Sequence, residues 1–479
     1  MKILGIVSQI KNRLRVVTGS FIFPYTAVIF FAELVQFFLN PKGAFQGDSK
    51  AYGFGADRDW SLLSFTGNSL RNWPLVSINL ILGNQMLQVF FLFTISIGSW
   101  VCLLFQTKNY FRSINRHIVS IAIVLLAISP QVLSWNSTLL SESLCISILV
   151  LICSLILRWN SIKSRSNHYF IATLIFFWVC IKPSNFLAFL VTSIFFGFVY
   201  VNRGKGRNKI QRNIVQNRIL VLIISIGLLW AAMLNLNQSA QAFDSGVNYK
   251  TAQALTVLSN QNPRIIEVAR ALDQDKNLHC FNLASPKTLP DNLVEIQTVC
   301  SIDQKWLSES FITWYIKYLA SNPIEVIHLS IFGLLAGNSP FGYYAGSISI
   351  LDKPIFGIFF GERNFALRLS DSSIVDFNSE KLIAFAPIIF WIVIYFLLRL
   401  PLFNGKQKNK DNSNIDFFEH RIDTLSKHLI ALAFFGIICI SVLTPTEWFR
   451  QTIQFQVVFY LGVIFYLGNF IQKKWSSKL

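Results

Sequence analysis

The sequence predicts an all-α polytopic membrane protein, a bundle of ten to twelve transmembrane helices with a small helical domain on the exoplasmic side. Three observations carry this. Only 14% of the residues are charged and 53% are hydrophobic, against roughly 25% charged in soluble domains, which excludes soluble enzyme classes. Apolar runs close to the ~20 residues that a helix needs to cross hydrocarbon recur along the chain. Lys and Arg gather in alternate connections, as the positive-inside bias requires.

The first element follows from Lys2, Lys11, Arg13 and Arg15, which have no acid among them and precede an apolar run over 16–39. That run is too long for a signal-peptide core and reads as a retained helix that starts in the cytoplasm. Further spans are expected at about 86–106, 118–134, 139–157, 169–181, 183–201, 219–235, 382–400, 429–444 and 452–471,. Residues 324–381 must cross an even number of times. Ile324 to Ala336 and Ile348 to Gly361 form either two short crossings or a re-entrant element broken at Asn338-Ser339-Pro340 and Asp352-Lys353-Pro354,. The chain thus divides into an N-terminal transmembrane module (1–235), an exoplasmic loop domain (236–323) and a C-terminal transmembrane module (324–479).

The formal charge of +18 has a topological meaning. Lys108, Arg112 and Arg116, then Arg158, Lys163 and Arg165, the basic run 203–218, the stretch 399–427, and Lys473, Lys474 and Lys478 all fall in connections assigned to the inside. The basic excess is therefore a cytoplasmic signal, with some contact to anionic headgroups, and no nucleic-acid partner is expected. A bacterial cytoplasmic (inner) membrane, with both termini in the cytoplasm, is the expected location.

Two sizeable regions face outward, 40–85 and 236–323. The second contains amphipathic patterns such as Arg264 to Leu272. It ends in an aromatic stripe from Trp306 to Ser321 that suits a helix in the headgroup layer or one packed on the membrane domain, before a break at Asn322-Pro323,. Cys102, Cys145, Cys153, Cys180 and Cys439 lie in apolar spans and act as small hydrophobes,. Cys280 and Cys300 lie on the oxidising face, either as a disulfide or as two unpaired thiols,.

Ionisable groups at the bilayer boundary carry the chemical information, because each costs roughly 2.5–3.5 kcal/mol at a helix centre. They are Glu33, Asp48, Glu142, Lys182, Glu447 and Arg450, and the topology puts all of them toward the outer half. Asp48, in Gly47-Asp48-Ser49-Lys50-Ala51-Tyr52, is a candidate general base or a solvated turn residue. Asp57-Arg58-Asp59 has the D-x-D spacing that can hold a divalent cation, or it forms a local ion pair. Glu142 needs either a role or a hydrogen-bond network with Ser141 and Ser143. Lys182, before Pro183, either meets a phosphate or snorkels to headgroups. Arg450 either grips phosphate bidentately or pairs with Glu447.

Together these features resemble the GT-C superfamily of integral membrane glycosyltransferases, which includes the protein O-mannosyltransferases and the bacterial aminoarabinose transferases of lipid A. The resemblance is carried by the first-loop acid in Gly47 to Tyr52, the Leu-Leu-Ser141-Glu142-Ser-Leu segment, Lys182-Pro183, and Arg450 before the last span. It covers most of 16–235 and, more loosely, 429–471. It implies a GT-C-like bundle that transfers a sugar from a polyprenyl-phosphate donor to a hydroxyl of a glycan, lipid or protein acceptor, with inversion. Asp48 would be the catalytic base, with Asp57 or Asp59 as secondary candidates, and Glu142 a second active-site acid. Tyr52, Lys182 and Arg450 would bind substrate. Many relatives have two adjacent acids in the first loop and an arginine before the proline, where this chain has Asp48-Ser49 and Lys182. The cofactor is accordingly left unknown, a divalent cation being one option.

No nucleotide-binding loop accompanies this pattern, since Gly204-Lys205-Gly206 lies in a basic cytoplasmic connection rather than a strand-to-helix turn,. Two other readings compete. A lipid-linked oligosaccharide polymerase or ligase would use outer-face basic residues without a catalytic carboxylate. A transporter or flippase would show matching halves with broken helices, and no such repeat is visible.

Overall fold

The computed structural model describes residues 21–43, 73–111, 113–161, 165–182, 185–186, 188–194, 320–321, 323–324, 415–443 and 448–476. Among the described residues the regular structure is helical, with no strand. The helices with defined ends are α1 (Phe23–Leu39), α2 (Trp73–Leu82), α3 (Gln85–Thr107), α4 (Ser113–Ala127), α5 (Pro130–Asn136), α6 (Ser141–Ser161), α7 (Arg165–Ile181), α8 (Ile415–Leu443) and α9 (Trp448–Ser476). Among the described residues four stretches are long and apolar enough to cross a membrane: Gln85–Thr107, Ser141–Arg158, Ile422–Ile440 and Thr452–Lys473. Phe23–Leu39, Ile114–Ala127 and Tyr169–Ile181 are apolar but shorter. Of the expected exoplasmic domain and its aromatic stripe, only 320, 321 and 323 are described. The backbone is helical at 320–321 and again at 323–324, so Pro323, the second residue of the expected break, itself stands in helical backbone.

Local chemistry sets the helix starts. Pro24 stands in the first positions of α1, where its missing N–H costs nothing, and Asn84 caps α3 by accepting from the Met86 N–H,. Pro130 opens α5 as Pro24 opens α1, and Ser129 before it makes no side-chain capping bond,. The acid Glu142 sits in the first turn of α6 and the base Arg158 in its last, each favourable to the helix dipole,.

Helix α6 is the hub, packed against α3, α7 and α9, with α5 across its start. The spans in α6 and α9 are mostly buried, whereas those in α3 and α8 are about half buried. Exposed Phe31 and Phe38 on α1, and Phe90 on α3, give those helices apolar outer faces suited to lipid. Trp100, Trp135, Trp178, Phe455 and Phe465 fill the interior. The α8–α9 pair approaches closely at Gly462, where a Cβ would stand 3.1 Å from the Ser426 carbonyl oxygen,.

Three elements differ from the expected pattern. Helix α2 falls inside the 40–85 loop; its ten residues reach only ~15 Å, too short to register as a span,. The expected span 118–134 divides at Ser129-Pro130 into α4 and the short helix α5, whose residues 132–136 are buried. Helix α8 starts at Ile415, well before the apolar run at 429, because a helix need not end where its apolar stretch does; Asp423 and Lys427 support this part as a 2.6 Å i,i+4 pair,.

At one end of the bundle stand Lys108, Arg116, Arg158 and Lys473, near the bonds from Tyr110 Oη to the Leu157 carbonyl and from Gln472 Nε2 to the Tyr110 carbonyl. This is the end the charge pattern assigns to the inside. Glu142 and Lys182 stand at the other, at the start of α6 and the end of α7.

Candidate functional site

From Val132 to Ser143 every residue is buried, although the stretch Asn136-Ser137-Thr138 has the composition of a solvated turn. Its polar groups are satisfied locally and by neighbouring helices. Ser137 Oγ and Thr138 Oγ1 both donate to the Ser134 carbonyl, and Gln36 Nε2 of α1 donates to Ser137 Oγ at 3.1 Å. The chain leaving α1 closes over this turn at Gly43. That residue has φ +68°, and a Cβ there would meet the Ser137 carbonyl oxygen at 2.9 Å and Leu139 Cγ at 3.1 Å, so only glycine fits,.

The turn delivers Glu142 to the start of α6, where its Oε1 lies 2.6 Å from Lys182 Nζ. Glu142 is 2% and Lys182 7% exposed, so the lysine does not snorkel; it folds inward onto the acid. Position favours both charges. Glu142 faces the positive end of α6, and Lys182 follows the negative end of α7, where Pro183 cannot continue the helix,. Ser141 Oγ donates to the other carboxylate oxygen at 3.3 Å, so one of the two expected serine contacts is present. The other serine, Ser143, donates instead to Asn136 Oδ1 at 2.9 Å.

A second acid lies close by along the hydrogen-bond chain. Glu33 Oε1 accepts from Ser96 Oγ of α3 and from Asn136 Nδ2 at the end of α5, both at 2.7 Å, and the side chain is wholly buried. Its Oε2 has no hydrogen-bond partner among the described residues.

A third cluster ties in the last helix. Gln454 Nε2 of α9 donates to Asn185 Oδ1 at 2.6 Å, and Gln454 Oε1 accepts from Trp178 Nε1 at 3.0 Å. Asn185 in turn donates to the Trp178 carbonyl and to Cys145 Sγ, and its N–H bonds the Lys182 carbonyl. Arg450 stands in the first turn of α9, four residues before Gln454. Its backbone therefore belongs to the same end of the bundle as Lys182.

The structure thus joins Glu142 to Lys182 and brings the helix turn of Arg450 alongside them. Asp48, Tyr52, Asp57, Asp59, Cys280 and Cys300 lie outside the described residues. Asp48 follows Gly43 by five positions. Among the described residues no group of three or more His, Cys, Asp or Glu side chains could hold a metal ion. Glu142 is neutralised by an ammonium, and Glu33 is engaged by a hydroxyl and an amide. The described acids therefore do not supply the several converging oxygens that a divalent cation takes. The five cysteines of the apolar spans are free thiols, of which Cys145, Cys153 and Cys180 are buried and Cys102 is exposed.

Comparison with family models, with curated proteins and with solved structures finds no match.

The sequence pattern pointed to Glu33 as a costly charge but not to its partners. Ser96, Asn136, Asn185 and Gln454 escaped because each is a neutral polar residue. For three of them the signal was their place, since Ser96, Asn185 and Gln454 sit within expected apolar spans, whereas Asn136, between two spans, carried none.

Proposed function

We propose that the chain is a GT-C-type membrane glycosyltransferase that moves a sugar from a polyprenyl-phosphate donor to a hydroxyl of a glycan, lipid or protein acceptor at the exoplasmic face. The observation that supports this reading is the convergence at one end of the bundle. Glu142 and Lys182 meet at 2.6 Å, the α9 turn that bears Arg450 is fastened beside them through Gln454 and Asn185, and the chain leading to Asp48 packs on the same turn at Gly43. A lipid-linked donor presents its phosphate and sugar at that depth, where charges aimed at a leaving phosphate are worth more than in water.

In the proposed reaction Asp48 takes the proton of the acceptor hydroxyl as its oxygen attacks the anomeric carbon. The bond from that carbon to the phosphate oxygen breaks with inversion, and the electron pair leaves with the polyprenyl phosphate. Lys182 gives one N–H to Glu142 and retains two others for the phosphate, while Arg450 supplies a second, bidentate contact,. Glu142 orients the ammonium.

Mass spectrometry of lipid-linked sugars and surface glycans from cells with and without the protein tests the reading. Accumulation of a polyprenyl-phosphate sugar in cells lacking it is the expected result. Unchanged lipid-linked sugars and glycans would overturn it.

A further inference from the structure

The proposed reaction leaves one buried acid unused. Glu33 lies on the interior stripe of α1 with Ile29, Gln36 and Phe37, so it faces the bundle rather than lipid,. One helical turn along the same face, Gln36 reaches Ser137, the residue after Glu33's partner Asn136. Helix α1 therefore addresses two consecutive residues of the α5–α6 turn, and Gly43 closes on it from the same chain segment.

Orientation is what Glu33 adds. Asn136 Nδ2 donates to both Glu33 Oε1 and Ser96 Oγ at 2.7 Å, which leaves Asn136 Oδ1 to accept from Ser143 Oγ at 2.9 Å. Rotating the amide by half a turn would set its oxygen against the Glu33 oxygen, two acceptors with no hydrogen between them. An acid at position 33 thus dictates which way Asn136 faces, and hence what Ser143 finds. Ser143 follows Glu142 directly in the first turn of α6.

We infer that Glu33 is a positioning residue, which through Asn136 and Ser143 sets the first turn of α6 and so holds Glu142 against Lys182. Its contribution to sugar transfer rests on the proposed function; the relay itself rests on the geometry alone. Removing the relay frees the turn, loosens the ion pair and opens the Lys182 amine to solvent.

The test is acetic anhydride labelling of the full-length protein in detergent, with acetylation at Lys182 read by mass spectrometry. Lys427, paired with Asp423 on α8, reports on folding, since its labelling stays constant in any variant that folds normally. Glu142→Ala sets the fully exposed limit. Glu33→Ala is expected to raise Lys182 labelling several-fold toward that limit. Ser143→Ala, the smallest cut in the relay, is expected to do the same should Glu33→Ala fail to fold. Glu33→Gln, whose amide oxygen still accepts, is expected to label like the wild type. Wild-type protection of Lys182 in Ser143→Ala or in a folded Glu33→Ala protein would overturn the inference, as would equal exposure in Glu33→Gln. Donor accumulation in cells bears on the reaction alone, so the two failures are distinguishable.

Discussion

Lys182 Nζ stands 2.6 Å from Glu142 Oε1, with both side chains shielded from solvent, and this contact fastens the end of α7 to the start of α6. The two residues are forty positions apart in the chain, so the pair is tertiary rather than local. Buried ion pairs of this kind hold geometry more than they add net stability, because desolvation offsets much of the attraction.

Removing one member should therefore hurt more than removing both. Glu142→Leu or Lys182→Met alone leaves an uncompensated charge and is expected to cost about 3–5 kcal/mol. The double variant Glu142→Leu with Lys182→Met restores an apolar contact and should cost much less than the sum. Thermal unfolding of the four proteins in detergent measures the coupling; strictly additive losses would show that the pair is not formed.

Gly43 is expected to tolerate no side chain. At φ +68°, alanine is strained by roughly 1 kcal/mol, and its Cβ would also press on the Ser137 carbonyl 2.9 Å away,. Because that carbonyl is backbone, it cannot turn aside. Gly43→Ala should lower the melting temperature by several degrees, while Gly98→Ala, which meets nothing within 4 Å, should not,.

Gln454 of α9 holds both Trp178 of α7 and Asn185 through a single side chain. Gln454→Leu would leave Trp178 Nε1 and Asn185 Oδ1 without their partner, at a cost of about 1–3 kcal/mol per stranded group,. Gln454→Glu keeps the acceptor for Trp178 but presents an acceptor to Asn185 Oδ1, so it should recover only part of the loss. Unfolding midpoints for the two variants decide this, and an unperturbed Gln454→Leu protein would contradict the network.

How much of this was legible in the sequence depended on whether the signal was local. The spans α3, α6 and α9 were marked by long, predominantly apolar runs, and Glu142 and Lys182 by the cost of charge near hydrocarbon,. Their pairing was not legible, because nothing in either neighbourhood names a residue forty positions away. The expectation that Lys182 either snorkels or meets phosphate left out the third outcome, an acid within reach. Helix α2 was missed because ten residues fall below the spanning length, and α5 because the apolar run 118–134 continues through Ser129-Pro130, where α4 has ended and α5 begins.

Asp48 and Arg450 separate the proposed reaction from its nearest rival. If a carboxylate removes the acceptor proton, Asp48→Asn should lower transfer by ~10²–10⁴ with the melting temperature unchanged, since general-base help is of that size. Arg450→Ala should weaken the hold on the donor phosphate, and Arg450→Lys should restore part of it, because an ammonium keeps the charge but not the bidentate fork. A polymerase or ligase that relies on cations alone would show the opposite ranking, with Arg450→Ala inactive and Asp48→Asn close to wild type. Transfer assays with membranes carrying each variant, alongside donor levels in the same cells, give the ranking directly. Wild-type transfer in Asp48→Asn would remove the carboxylate from the chemistry.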